Sequence, residues 1–419
     1  MSPQIPDCCP DPVGRAPLSK QEVLDLLLSH AHPLTESESI PTQEGLGRVL
    51  AGPVVSTVDV PGCDNSAMDG YAVRLADLSA DPARLRVAQR IPAGFTGSPL
   101  EPLTAARIFT GAPVPPGADA VVIQERCQRE GEWVLVPAND VSAGANIRRA
   151  GEDIRGGAEA IPAGTRLAPQ HLGLAAAVGA AELRVYRRLR VAIFSSGDEL
   201  ALPGQPLAPG QIYDSNRFTL LGLLQGLGCT CMDLGQVPDT LAATLEALER
   251  GAQSADFVLT SGGVSVGEED HVRPAVERLG HLDIWTIAIR PGKPLAFGHI
   301  GGTPFLGSPG NPVSLFATFC LFARPFILRR QGVAGDLTPR SLKVRAGFDW
   351  ERPDRRREYL RARLALGPDG EIEAGVHPSR SSGVLSSVTW AEGFLEIPEG
   401  RMVRRGDLVD FIPFDVLLH

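Results

Sequence analysis

Between residues 190 and 330, strand-like apolar runs alternate with helical stretches, and this alternation constrains the fold of the 419-residue chain more than any other feature. Val191–Phe194, a run at 230–237, Asp256–Thr260 and segments near 283–289 and 304–307 read as strands. Helices fall between them at about 216–227, at 240–253 and up to Leu279. A last helix opens at Asn311-Pro312, where an N-cap residue precedes a proline whose fixed φ and missing N–H suit the first helical position. Parallel strands need a long return connection, so this order implies βαβ units, right-handed crossovers and a mainly parallel sheet. A central three-layer α/β domain is therefore expected over 189–332.

The flanks have another texture. Residues 1–17 read as a disordered tail, and Ser19-Lys20-Gln21-Glu22 is a capping box opening a helix. From about 52 to 165, short runs such as Val54-Val55, Ala120–Ile123 and Trp133–Val136 are broken by Gly and Pro, of which the chain holds 46 and 36. Leu167 to Ala181 reads as a helix. Past 333, Ser341–Ala346, Tyr359–Leu366, Phe394–Ile397 and Leu408–Pro413 suit a small β-barrel or sandwich. The expected fold class is multidomain α/β plus β. Its parts are a split N-terminal domain (18–57 and 146–188), an inserted β domain (58–145), the α/β domain and a C-terminal β domain (333–419).

Charge and cysteines narrow the function. The net charge is −9, and no basic run resembles a nucleic-acid footprint, so nucleic acid is not an expected partner. The seven cysteines lack metal-type spacing. Cys229 and Cys231 share a strand face, Cys8-Cys9 sit in the tail, and free thiols are expected. No signal peptide is read at the N-terminus. The longest apolar stretch, 313–328, is interrupted by Arg324-Pro325 and short for a membrane span. A cytoplasmic location without membrane contact is expected.

Ligands of open α/β sheets sit outside the carboxyl ends of the strands. Four segments fall there: Ser195–Glu199, Thr260–Gly267, Arg290–Pro294 and Gly307–Pro312. Three are rich in Gly and hydroxyls, which lets backbone N–H groups approach phosphate oxygens. The fourth supplies Arg290 and Lys293, in a chain with 37 arginines and only three lysines. Any one such loop is usually a plain turn; four at one edge point to an anion or phosphate-ester site. Glu199, Asp214 and Asp270 (with Glu268 and Glu269) gather at the same edge, where carboxylates would repel phosphate unless a cation such as Mg2+ intervened. Asp214 and Asp270 also read as helix caps, the commonest job for such residues. No GxxxxGK[ST] occurs. Asp64–Tyr71 and Thr110–Pro115 are polar beyond what apolar periodicity explains, and the first also reads as an Asx/Ser-rich turn.

Taken together, Asp64–Val73 (DNSAMDGYAV), Phe109–Pro115 (FTGAPVP), Gly151-Glu152-Asp153, Ser196–Leu200 (SGDEL), Ser261–Asp270 (SGGVSVGEED) and Pro309–Ser314 (PGNPVS) resemble the molybdopterin molybdenumtransferases of the MoeA type, which include the E domain of gephyrin. The resemblance runs in order from about residue 18 to the C-terminus. It implies molybdenum insertion into adenylylated molybdopterin from molybdate, with release of AMP. It also implies an elongated homodimer in which the inserted β domain acts as a lid facing the partner's α/β cleft. By the same resemblance Ser261, Gly262 and Gly263 would hold phosphates, and Pro309 and Asn311 lie in a substrate-binding motif. Arg290, Ser261 and Ser314 would receive molybdate, an oxyanion suited to guanidinium and hydroxyl donors. Lys293 would neutralise charge, and Glu199, Asp214 and Asp270 would bind magnesium or orient the substrate. Asp64, Thr110 and Asp153 match positions tied to activity. Arg290 stands where many members carry Lys, which keeps the charge and alters its geometry. Two other roles share parts of this pattern: a molybdopterin adenylyltransferase, which needs little beyond the α/β domain and could instead be a separate docking partner, and a non-catalytic scaffold of the gephyrin E type.

Overall fold

The computed structural model describes residues 17–263, 271–292, 294–351, 353–367 and 369–418, with Ile284 and Trp285 by their backbone alone. Asp270, Lys293 and the tail with Cys8 and Cys9 lie outside the described residues. The chain forms two compact units. One comprises residues up to 38, 47–51 and 185 onward; the other comprises 39–46 and 52–184.

In the first unit, the central sheet contains β1 (Arg190–Ser196), β2 (Thr230–Val237), β3 (Phe257–Ser261), β4 (Gly280–Thr286), β5 (Pro294–Ile300) and β6 (Thr303–Ser308). Their order across the sheet is β2-β1-β3-β6-β5-β4. The first four are parallel, and β5 and β4 add an antiparallel edge. Period-two burial assigns the two faces. Val191, Ile193, Phe257, Leu259 and Leu306 pack beneath α1 (Lys20–Ser29), α2 (Ser215–Gly226) and the helical run 312–330. Ala192, Phe194, Val258 and Phe305 pack beneath α3 (Leu241–Ser254) and α4 (Val272–Leu279). This is the expected three-layer arrangement.

The capping box forms as read: Ser19 Oγ accepts from the Glu22 N–H at 3.3 Å, and the Ser19 N–H donates to Glu22 Oε2 at 2.8 Å. The run 312–330 contains a π-helical turn at Phe319–Ala323. It is long and apolar enough for a membrane helix, yet 89% of its window is buried within the protein, so its apolarity serves the core. Strand β5 was not foreseen, because Pro294, Gly298 and His299 interrupt a recognisable alternation. Gly298 is required there: a Cβ would stand 2.1 Å from the His281 carbonyl of β4.

The C-terminal strands 342–346, 357–366, 372–376, 393–397 and 408–413 close into a five-stranded barrel, since 357–366 pairs with both 372–376 and 393–397. Its interior is filled by residues such as Val344, Leu360, Leu395 and Phe411. Ile289-Arg290 pairs with Arg357-Glu358 and joins the barrel to the α/β loops.

The second unit is built on a six-stranded mixed sheet, ordered 120–123, 70–73, 104–108, 83–91, 133–136, 128–130. Small and β-branched residues fill both its faces, Tyr71, Val122 and Val134 on one, Ala72, Ile108 and Val121 on the other. The helix Pro169–Ala177 belongs to this unit.

Candidate active site

The order β2-β1-β3 reverses direction at β1/β3, the point where a crevice opens at the carboxyl edge of such a sheet. Register places Ser195 opposite Ser261 and Ser261 opposite Ser308, so three buried hydroxyls line one face at adjacent strand ends. The loops beyond them are in contact. The Gly262 N–H donates to the Ser308 carbonyl at 3.1 Å, and Gly262 and Gly263 have φ of +83° and +69°, where a side chain is strained. A Cβ on Gly262 would stand 3.1 Å from the Ser196 carbonyl. Pro309 is buried, and Asn311 begins the 312–330 run without a side-chain bond to it. Ser314 is buried in the first turn of that run.

Helix α2 supplies the polar floor. Asp214 caps it, Oδ1 accepting from the Arg217 N–H at 3.1 Å. The other oxygen, Oδ2, is buried and has no partner among the described residues. Asn216 Nδ2 donates to Ser261 Oγ at 2.8 Å and to the Gly310 carbonyl at 2.7 Å, while its buried Oδ1 has no partner among the described residues. Among the same residues, Ser195 Oγ and Ser308 Oγ have no partner either. A buried polar atom without a partner costs about 1–3 kcal/mol, so this concentration needs an explanation. Glu199 is exposed; the short parallel pair Leu200-Ala201 and Ile212-Tyr213 brings its loop beside Asp214. Asp239, which sequence reading missed, receives the Ser196 hydroxyl and the Asp198 N–H.

Arginines gather where barrel and α/β loops meet. Arg290 donates to Asp354 at 3.0 Å and is therefore partly committed, although a guanidinium carries five N–H donors. Burial opposes ionisation of Asp354, yet bonds from Arg356 and Arg290 hold its carboxyl well below the usual carboxylate range. Arg361, 3% exposed, donates to Ser387 Oγ at 3.0 Å and to the Ser379 carbonyl at 2.6 Å. Burial, then the charges of Arg290 and Arg380, lower its guanidinium below the ordinary value. The Ser382 carbonyl accepts from the Val313 N–H at 3.0 Å, tying this barrel loop to the 312–330 run. Sequence reading gave Arg361 no role, although it lies in the Arg357–Leu364 stretch that shares the family resemblance.

The second unit holds the remaining predicted residues. Asp64 accepts from the Ala150 N–H at 2.9 Å and from Arg149 at 2.5 Å, and these bonds, the backbone one first, lower its carboxyl. Thr110 donates through both N–H and hydroxyl to Asp69 Oδ1, each at 2.8 Å. Those two bonds, backbone first, and the charge of Arg107 lower the Asp69 carboxyl. Asp69 had not been assigned a role. Asp153 is exposed and donates its N–H to the Val60 carbonyl at 3.0 Å.

The fold is that of a multidomain α/β protein with buried polar groups at the carboxyl edge of its central sheet. Three family profiles match in sequence: "MoeA N-terminal region (domain I and II)" over 18–179, "Probable molybdopterin binding domain" over 192–329, and "MoeA C-terminal region (domain IV)" over 343–414. A molybdopterin molybdenumtransferase of Haemophilus influenzae is 38% identical over 389 residues, covering 92% of this chain and 95% of the relative. That of Bacillus subtilis is 32% identical over 382 residues, covering 88% of each chain. A molybdopterin biosynthesis MoeA protein of Pyrococcus horikoshii has the same fold, with TM-score 0.81 and 29% identity over 95% of this chain and 100% of that one. The chain belongs to the MoeA family, enzymes of molybdenum cofactor biosynthesis.

Proposed function

We propose that this protein inserts molybdenum from molybdate into adenylylated molybdopterin in the cytoplasm, with cleavage of the adenylyl–phosphate bond and release of AMP. The observation that carries the reading is a set of buried atoms at one sheet edge that have no partner among the described residues: Ser195 Oγ, Asp214 Oδ2, Asn216 Oδ1 and Ser308 Oγ. Such atoms suit a polar ligand that completes their hydrogen bonds. Ser261, Gly262 and Gly263 receive the phosphates, with Pro309 and Asn311 shaping the adjoining wall. Arg290 and Ser314 receive molybdate, joined by Arg361 from the barrel. Lys293 offsets charge as two anions are brought together, a task in which fixed cations act more strongly than in water.

The oxygen donors of Glu199 and Asp214 fit magnesium, Asp214 Oδ2 being a buried carboxylate oxygen with no partner among the described residues. With Asp270 they would hold the ion, which would neutralise phosphate charge. The working unit is a homodimer, in which Asp64, Thr110 and Asp153 of one protomer serve the cleft of the other. A separate adenylyltransferase supplying the substrate is its natural partner; neither nucleic acid nor membrane is.

The test is AMP release from adenylylated molybdopterin with purified protein, magnesium and molybdate, beside Asp214→Asn and Lys293→Ala. Molybdate-dependent release that falls at least tenfold in both variants, on the order of one lost charged contact, is expected. Substrate bound yet left intact by the wild-type protein overturns the catalytic reading in favour of a carrier or scaffold.

A further inference from the structure

We infer that Asn216 is a positioning residue of the anion subsite: its amide fixes Ser261 so that the serine hydroxyl presents its proton to a tetrahedral oxyanion in the cleft. The inference rests on the proposed function for the identity of that anion. Asn216 is 9% exposed and is the second residue of α2, two positions after the Asp214 cap. Its Nδ2 donates in two directions, to Ser261 Oγ at 2.8 Å and to the Gly310 carbonyl at 2.7 Å. A carbonyl can only accept, so the bond to Gly310 decides which way the amide faces. The second N–H then makes Ser261 an acceptor on that side. A hydroxyl has one proton, and among the described residues no protein group takes the proton of Ser261. It is left as a donor.

Two further features give this clamp its reach. The amide gives the Gly310 carbonyl a donor, so that this acceptor is satisfied within the protein. The loops it joins are packed closely: the Gly262 N–H meets the Ser308 carbonyl at 3.1 Å, and a Cβ on Gly310 would lie 3.9 Å from the Gly262 Cα. Ser261 ends β3 and Gly310 stands on the loop after β6, so the Asn216 amide ties the two together. A serine held this way loses little orientational freedom when the anion arrives, which is how a preorganised donor gains over a mobile one.

The experiment is a double-mutant cycle of Asn216→Ala and Ser261→Ala, with KM measured separately for molybdate and for adenylylated molybdopterin, and kcat alongside. If Asn216 acts through Ser261, each single variant raises one of these KM values by about tenfold, the worth of one hydrogen bond to an anion. The double variant is then no worse than about threefold beyond the worse single. The KM that moves identifies whether molybdate or the pterin's phosphate is the anion. A product of the two single effects, about a hundredfold, is what independent packing roles give, and it overturns the inference. Asn216→Asp keeps the shape but replaces the donor by a carboxylate facing the Gly310 carbonyl; it is expected to be the worst variant, and wild-type KM values with it also overturn the inference. Should Asn216→Ala fail to fold, Asn216→Ser, which still donates one bond, carries the same cycle. Should the wild-type protein release no AMP, the proposed function falls, and the cycle is read on the Kd of molybdate by calorimetry.

Discussion

Replacing Gly262 by Ala tests how closely the cleft loops depend on one another. At φ +83° an L-residue is strained by about 1–2 kcal/mol relative to glycine. The new Cβ would also stand 3.1 Å from the Ser196 carbonyl, closer than ordinary contact, so the β1 loop must yield by a few tenths of an ångström. Gly310 is the matched control: it has no positive φ, and its Cβ would lie 3.9 Å from its nearest neighbour. Gly262→Ala should therefore lose about 1–2 kcal/mol in urea unfolding, and kcat/KM for AMP release should fall about 5–30-fold if the strain acts on the substrate loop. Gly310→Ala should stay within about twofold of wild type, since it adds no strain. Equal behaviour of the two variants, in either assay, would refute the argument that the β1 and β3 loops are held in mutual contact around the anion.

Other outcomes follow from the same structure. Asp214→Asn keeps a capping oxygen and removes the charge, so activity should fall with little change in unfolding, whereas Asp214→Ala should also lose about 1 kcal/mol of stability; equal unfolding midpoints for the two would remove the cap from the account. Asp69→Ala takes away the acceptor of both Thr110 bonds, and kcat should fall by about tenfold through misplacement of that residue, with unchanged circular dichroism. Asp256 receives Arg187 at 2.6 and 2.8 Å and the Arg190 N–H at 2.8 Å. Although burial opposes ionisation, these bonds hold its carboxyl well below the usual carboxylate range. A lowered folded-state value stabilises the protein above the unfolded carboxylate range, near pH 4, and that stability is lost as pH falls toward the folded value. Asp256→Asn should therefore cost about 2 kcal/mol at pH 7 and progressively less below pH 4, as urea unfolding at both pH values will show.

The alternation of strand and helix patterns, the capping box at Ser19 and the Asn311-Pro312 helix start were legible because each is local: side-chain periodicity and cap chemistry act within a turn or two of chain. Three of the named motifs, Ser196–Leu200, Ser261–Asp270 and Pro309–Ser314, marked loops at the carboxyl edge of the sheet for the same reason, since Gly, Pro and short polar residues declare where backbone must bend. The hydrogen bonds inside the cleft were not legible. Asn216 meets Ser261 across 45 positions and Gly310 across 94, and which strand ends become neighbours is settled only when the sheet orders itself β2-β1-β3-β6. Strand β5 escaped notice because its pairing, not its composition, makes it a strand. Arg361 became distinctive only through burial beside Arg290 and Arg380, with Ser387 and the Ser379 carbonyl as partners. The sequence alone thus determined the elements and the chemical groups at their ends; tertiary structure decided which groups meet, because registry between distant strands is set by burying whole faces and not by any residue's local preference.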